Sequence, residues 1–241
     1  MNNCIIQYSN VNWTEIGMFI LALLGVVWGF YRFHVNNEKK ALERELENLR
    51  LYFSSIENNG MKFIKKQIPY PRNMAYKYRF SFFKIEKRDL YYSLDPSLSV
   101  YDNFYRYVLS CEDYVKTSEL TLRQMIELYN IYVDNLYQRH ILNQTYQILY
   151  TCLHEIVEKK LQVNKKKKLQ RVQNSITSTQ AILYFFNQLQ YADRQRIKNR
   201  FMIALYDSHF FKDMFNSQEY KNIQHLIPLS VEKLFYKQKK S

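Results

Sequence analysis

The side chains that most often carry out chemistry are few in this sequence and stand far apart. Five histidines and three cysteines occur in 241 residues, and none has the paired spacing of a zinc or redox motif. His154 with Glu155 and Glu158 forms an HExxE string on a predicted helix, but the second His of a zinc-binding helix is missing. We interpret this string as a solvated helix face. The sequence therefore predicts no catalytic residue, no metal ligand and no cofactor.

Positive charge is the second chemical feature. The chain holds 35 Lys and Arg residues against 22 Asp and Glu residues, a formal net charge of +13 at pH 7. Its densest basic run predicts either a solvated turn between two helices or a binding site for an anionic partner, meaning phosphate groups or lipid headgroups. The residues of this run are Lys165, Lys166, Lys167 and Lys168.

Residues 61–100 mix basic and aromatic side chains, and Pro69, Pro71 and Pro96 exclude a long helix there. Charge beside flat rings suits single-stranded nucleic acid, and it equally suits an anionic membrane surface. A third hypothesis is a connecting region whose aromatic rings pack into the core. Nucleic acid is the less favoured of the two partners because this region closely follows an apolar segment.

That segment is the longest uninterrupted apolar run in the chain. Residues 16–31 (IGMFILALLGVVWGFY) carry no charge, and Phe33 and Val35 extend the segment to roughly 18–20 residues. At about 1.5 Å per residue this length spans a hydrocarbon core of about 30 Å. We therefore predict that residues 1–35 form an N-terminal tail and a transmembrane anchor in the lipid bilayer. The anchor residues are Trp13, Ile16, Phe19, Leu21, Leu24, Val27, Trp28, Tyr31 and Arg32.

The charges around this segment predict its orientation. No Lys or Arg precedes it, whereas several follow it, and the positive-inside rule then places the body of the chain in the cytoplasm and the N-terminus outside. A cleavable signal peptide is the alternative, because Val27 and Gly29 resemble a small-residue cleavage site, although the usual positive start is missing. The basic residues that follow are Arg32, Lys39, Lys40, Arg44 and Arg50.

Residues 36–60 predict an amphipathic or coiled-coil helix. Its large apolar residues recur at alternating spacings of four and three, which is the seam of a coiled coil. Two hypotheses stay open: this seam joins copies into a homo-oligomer, or it packs on the chain's own domain. The seam residues are Leu42, Leu46, Leu49, Phe53 and Ile56.

Residues 101–241 predict a cytoplasmic helical domain, and the fold class is all-α. Only four Gly and four Pro occur in the chain, too few for sheets joined by tight turns. Ser99 is expected to cap the first helix of this domain, three residues before Asp102. One helix is expected to run from Leu169 to about Tyr191.

Two of these helices carry a resemblance to a family. An aromatic-rich helix at residues 146–156 precedes one at residues 171–189, whose polar first half (RVQNSITSTQ) gives way to an apolar second half (AILYFFNQL). With the anchor, this order is similar to that of phage abortive-infection proteins of the AbiC type. The resemblance implies a membrane-anchored bacterial defence protein of the inner (plasma) membrane that acts from its cytoplasmic face. It also implies a phage-derived or host protein as trigger, and it supplies no catalytic residue.

Two other functions stay open. The basic aromatic region and the lysine run favour a membrane-tethered protein that binds RNA or resembles a ribonuclease. The absence of a catalytic motif in the sequence is equally typical of a structural partner in a membrane complex.

Overall fold

We describe a computed structural model of the chain, covering residues 13–58, 63–71, 74, 91–113, 119–158, 165–193, 205 and 209–235. The chain divides into two compact units, Met1–Arg44 and Glu45–Ser241. The predicted boundaries at residues 35, 60 and 100 stay predictions. In its described parts the molecule is mostly helical, which agrees with the expected class in its coarser form.

The first helix, α1, runs from Trp13 to Asn58 and contributes to both units. It ends where the sequence reads Asn58-Asn59-Gly60, residue types that favour a helix C-terminus. Its first part contains the uncharged run and belongs to the first unit. Its last part carries the seam residues Leu46, Leu49, Phe53 and Ile56, which belong to the second unit.

A two-stranded antiparallel sheet is the exception to the all-α expectation. Strand β1, Gln67–Pro69, pairs with strand β2, Tyr91–Ser93, so that Ile68 lies opposite Tyr92. The Tyr107 hydroxyl donates to the Pro69 carbonyl at 2.6 Å, which ties the sheet to the helical domain. Both strands lie in the basic aromatic region. Half of that region, including residues 75–90, lies outside the described residues.

The helices that follow begin at well-formed caps. Helix α2, Val100–Leu109, starts at Ser99, whose hydroxyl accepts from the Asp102 backbone N–H at 3.0 Å, so the predicted cap is confirmed. A short 3₁₀ helix, Ser110–Asp113, extends it. Helix α3, Leu122–Asp134, starts at a capping box made by Thr121 and Gln124.

Helix α4 spans Arg139–Glu158 and helix α5 spans Lys165–Gln173. Helix α6, Ser178–Asp193, is separate from α5, so the prediction of one helix from Leu169 to Tyr191 is wrong. Thr177 causes the break: its hydroxyl accepts from the Gln180 backbone N–H at 3.3 Å, while Gln180 Oε1 accepts from the Thr177 N–H at 2.9 Å. These two bonds start a new helix at this point.

Short helices complete the described chain. They are α7 (Lys212–Asn216), α8 (Gln218–Ile223), a 3₁₀ turn (Gln224–Leu226) and α9 (Leu229–Glu232).

The core of the second unit is aromatic. The Phe104 ring of α2 lies 5.1 Å from the Tyr132 ring of α3 and 5.1 Å from the Phe186 ring of α6, in edge-to-face geometry. The Phe185 ring of α6 lies 5.5 Å from the Phe211 ring and 5.1 Å from the Phe235 ring. Such pairs add about 0.5–1.5 kcal/mol each beyond the area they bury. Helix α6 is therefore the central helix of this unit.

Candidate functional site

The predicted anchor residues form an exposed apolar surface on α1. Those from Ile16 to Arg32 are all exposed, and the side chain of Trp13 lies outside the described residues. The Trp28 and Tyr31 rings lie 5.9 Å apart at the end of the run, as expected of aromatics at a membrane interface.

Among the described residues, one helix is long and apolar enough to cross a membrane by length and composition, and none of its apolar window is buried. The core helix of a soluble domain would bury that window. A membrane span and a signal sequence near the N-terminus both fit the helix.

The seam residues have a different environment from the one that oligomerisation requires. Leu46, Leu49, Phe53 and Ile56 are buried within a single copy of the chain. The Phe53 ring, for example, lies 5.8 Å from the Tyr101 ring of α2. This burial favours packing on the chain's own domain, because a buried side chain is not available to a second copy. Leu42 is half-buried.

The lysine run forms the first turn of α5, so the prediction of an interhelical turn at residues 165–168 is wrong. Lys165, Lys166 and Lys167 are exposed, and Lys168 is half-buried. Leu169 and Val172 are buried and hold the helix against the domain. Successive helical residues point about 100° apart, so the side chains of this run lie on more than one face of α5.

The histidines do not come together in the described structure. His154 stacks on Tyr150 with ring centroids 5.5 Å apart, and His225 lies 3.5 Å from Glu112. Within the residues that the structure describes, no group of three or more His, Cys, Asp or Glu side chains could hold a metal ion.

The residues that do come together are tyrosines and carboxamides, in a cleft of about 560 Å³ lined by α3, α4 and α6. We call this the tyrosine–amide cleft. Its volume lies within the range of small-molecule sites, about 300–1,000 Å³. Its lining residues recur at helical spacing, so each helix presents one face to the cleft. They are Tyr129, Asn130, Val133 and Asp134 on α3; Arg139, Asn143, Tyr146, Gln147 and Tyr150 on α4; and Tyr184, Asn187, Gln188, Gln190 and Tyr191 on α6.

Hydrogen bonds orient part of this lining. Gln188 Nε2 donates to Asn187 Oδ1 at 3.0 Å, and Asn187 Nδ2 donates to the Tyr129 hydroxyl at 2.6 Å. Gln190 Nε2 donates to Asn130 Oδ1 at 3.0 Å. The Asn187–Tyr129 and Gln190–Asn130 bonds join α6 to α3, and the three bonds together hold these carboxamide groups in one orientation.

Three buried polar atoms of the same lining have no hydrogen-bond partner in the described structure. They are the hydroxyl oxygens of Tyr146 and Tyr184 and the Oε1 atom of Gln188. The two tyrosine rings lie 5.0 Å apart and connect α4 to α6. Partnerless buried polar atoms are rare in folded proteins, and each calls for an explanation.

The lining of the cleft is mainly hydroxyl and carboxamide groups. Burial raises the pKa of Tyr146 and of Tyr184 well above the usual value, so both hydroxyls stay protonated at neutral pH. Burial also raises the pKa of Tyr129. Asp134 and Arg139 form an ion pair at 2.8 Å, and they are the charged residues of the described lining.

Local sequence patterns do not predict this cleft. A signal was present in α6, where Asn187 and Gln188 interrupt the apolar half of the helix. Large polar side chains within an apolar face often need a buried partner. The other lining residues of the cleft cannot be predicted from local patterns, because they come from helices about 50 residues apart in sequence.

Comparison with known proteins gives no match: no protein-family model, no curated protein and no solved structure matches this chain. The resemblance to abortive-infection proteins therefore stays a prediction from helix patterns.

Proposed function

We propose that this chain is a single-pass protein of the bacterial inner membrane whose helical domain faces the cytoplasm and acts in abortive-infection defence against phages. The observation that supports a location in the membrane is that none of the apolar window of α1 is buried. A surface of this size rarely faces water in a soluble protein. The basic residues that follow the window support the cytoplasmic orientation.

The defence role is supported by the order of elements along the chain. The apolar helix precedes a helical domain, in which aromatic-rich α4 is followed by the polar α5 and the apolar α6. The break between α5 and α6 divides the single helix expected at residues 171–189, so what supports the role is the order of a polar and then an apolar stretch.

Fractionation of cells that produce the full chain tests the anchor. We expect the protein in the membrane pellet, released by detergent and not by high salt. Leu21→Arg with Leu24→Arg should move it to the soluble fraction, since each Arg at the centre of a span costs about 2.5–3.5 kcal/mol. Leu51→Arg, on an exposed position of α1 beyond the anchor, is the matched control.

Measurements of intact mass and of protease access distinguish a membrane span from a cleaved signal sequence. A span with a cytoplasmic domain predicts an uncleaved chain whose domain is protected in spheroplasts. A chain shortened near Gly29 and found in the periplasm would contradict the anchored role.

A further inference from the structure

We propose that the tyrosine–amide cleft binds a short extended segment of polypeptide through the segment's backbone amides. The observation that carries this proposal is the set of accessible carboxamides on the lining, which belong to Asn130, Asn143, Gln147 and Gln190. Asn130, Asn143 and Gln147 are exposed and Gln190 is half-buried, so a molecule in the cleft can reach them. The proposal goes beyond the role in defence and does not depend on it.

These carboxamides keep hydrogen-bonding capacity that the described fold does not use. Within the described residues, the side chains of Asn143 and Gln147 make no hydrogen bond. Gln190 Nε2 donates to Asn130 Oδ1 at 3.0 Å, and the Asn130 Nδ2 and Gln190 Oε1 atoms remain for a ligand. Since each carboxamide carries both donors and an acceptor, the cleft suits a ligand that carries both as well. A peptide group is such a ligand, with one N–H donor and one C=O acceptor.

The spacing of the carboxamides on α4 matches an extended chain. Asn143 and Gln147 are one turn apart on the face of α4 that lines the cleft, with about 5–6 Å between Cβ atoms at this spacing. In an extended chain, the backbone groups on one side recur every second residue, which is about 6.6 Å at about 3.3 Å per residue. A segment that runs along α4 therefore presents one set of backbone groups to each carboxamide. A helical segment cannot do so, because its backbone N–H and C=O groups are already paired.

The charges of the lining disfavour nucleic acid as the occupant. Binding of nucleic acid depends on Lys and Arg that contact phosphates. The chain has 35 Lys and Arg residues, yet Arg139 is the one that lines the cleft as described. Its guanidinium lies 2.8 Å from the Asp134 carboxylate, so the described lining has no net positive charge.

Two accessible tyrosine rings on the lining supply contact area for the side chains of the segment. Tyr191 on α6 is 45% exposed, and Tyr150 on α4 is half-buried. Tyrosine gives a large, rigid contact surface at low cost in conformational entropy, and asparagine gives adaptable hydrogen bonds. Surfaces that recognise proteins, such as antibody paratopes, are enriched in both residue types.

Binding of capped, neutral hexapeptides to the full chain in detergent micelles tests the proposal. One pool carries Ala, Ser, Asn, Gln, Leu or Tyr at each position, and a matched pool has the same side chains with N-methyl groups on the backbone nitrogens. Each pool is equilibrated with immobilised protein, with empty micelles as the blank, and the peptides retained most are then titrated individually. We expect saturable binding from the unmodified pool and at least ten-fold weaker binding of the methylated peptides, which lack the backbone donors.

Removing single carboxamides locates the site. Asn143→Ala and Gln147→Ala should each weaken binding of the retained peptides about ten-fold, because each removes donors and an acceptor. The melting temperature should not fall, since both side chains are exposed and Ala favours a helix. Gln144→Ala is the matched control, because Gln144 is exposed on the same helix and does not belong to the described lining.

Three results would overturn the proposal. No saturable binding of any hexapeptide up to about 1 mM would exclude a polypeptide ligand, and adenosine and maltose titrated in parallel would show whether a nucleoside or a sugar binds instead. Equal binding of the methylated peptides would exclude recognition of the backbone. Peptide binding that Asn143→Ala and Gln147→Ala both leave unchanged would place the site elsewhere.

Discussion

Asn103 shows how one buried carboxamide holds a loop against a helix. Its Nδ2 atom donates to the carbonyls of Asp95, Ser99 and Leu98 at 2.7, 3.2 and 3.3 Å. Its Oδ1 atom accepts from the Asp95 N–H at 2.9 Å. The side chain is fully buried, so these bonds fix the segment that leads from β2 into α2.

We expect Asn103→Asp to lower the free energy of unfolding by about 3 kcal/mol. The substitution places an acceptor where the donor faces three carbonyl oxygens, and leaving such groups unpaired is costly. Urea unfolding followed by circular dichroism measures the loss. Asn216→Asp, at an exposed position, should change stability by no more than about 0.5 kcal/mol. Equal stability of the two variants would contradict this role of Asn103.

The tyrosine–amide cleft illustrates the same physical rule with the opposite outcome. The Asn103 carboxamide finds all of its partners within the fold, whereas the hydroxyls of Tyr146 and Tyr184 find none in the described structure. A buried polar group that is satisfied holds the structure together. One that is not satisfied lowers stability, so the hydroxyls of Tyr146 and Tyr184 differ from Asn103 in their effect on the fold.

At the scale of elements, the C-terminal part of α1 belongs to the core. Leu49 is fully buried and Leu51, two residues further, is 61% exposed. This difference follows from the helical period, which places Leu49 on the face of α1 that packs on the domain and Leu51 on a face that points away from it. It favours the hypothesis that the seam packs on the chain's own domain.

We expect Leu49→Ala to lower the free energy of unfolding by about 2–5 kcal/mol, as a cavity in a packed core does. The oligomeric state should stay unchanged, because the side chain packs within its own copy. Leu51→Ala should change stability by no more than about 0.5 kcal/mol. Urea unfolding and light scattering of the detergent-solubilised protein measure both quantities. A Leu49→Ala variant that dissociates from an oligomer to a monomer without losing stability would contradict this assignment.

The elements differ in how well the sequence predicts them. The apolar run, the cap at Ser99 and the helix stop after Asn58 depend on neighbouring residues, so local patterns identify them. The strands Gln67–Pro69 and Tyr91–Ser93 are each three residues long, too short to show an alternating pattern. The break at Thr177 was hidden because apolar residues continue in helical register on both sides of it.

The cleft could not be predicted for a different reason. It depends on which faces of α3, α4 and α6 meet, and periodicity gives only the apolar face of each helix. Tyr146 belongs to such an apolar face, and only the packing against Tyr184 shows that its hydroxyl is left without a partner.

At the scale of the whole molecule, the buried tyrosines set the response to pH. Burial is the first cause that raises the pKa of each of them above its usual value of about 10. They are Tyr107, Tyr129, Tyr132, Tyr146, Tyr184 and Tyr220.

The sign of the effect follows from proton linkage. Above about pH 10 the unfolded chain loses tyrosine protons that the folded chain keeps, so protons are released on unfolding and stability falls as pH rises. We therefore expect the contribution of these tyrosines to be constant from about pH 6 to 9 and to fall steeply above about pH 10. Urea midpoints across this range measure the fall.

Removing buried tyrosines should reduce that fall. Each substitution, Tyr146→Phe or Tyr184→Phe, is expected to remove about 1.4 kcal/mol per pH unit from the slope above about pH 10. Tyr137→Phe, at an exposed position, is the control. Identical slopes in all variants would contradict the burial of these hydroxyls.

In this chain an apolar N-terminal helix precedes a helical domain with an aromatic core and a polar cleft. The helix supports membrane attachment, and the order of the helices supports a role in defence.

Phage challenge tests whether the protein acts in defence from the membrane. Bacteria would produce the full chain, its Leu21→Arg, Leu24→Arg variant or the Leu51→Arg control, with an empty vector for reference, at low and high multiplicity of infection. We predict that the full chain and the control lower phage yield and that their cultures collapse at high multiplicity, while the double variant loses protection. Full protection by the double variant once it is soluble, or no protection by the full chain against a broad panel of phages, would contradict the account.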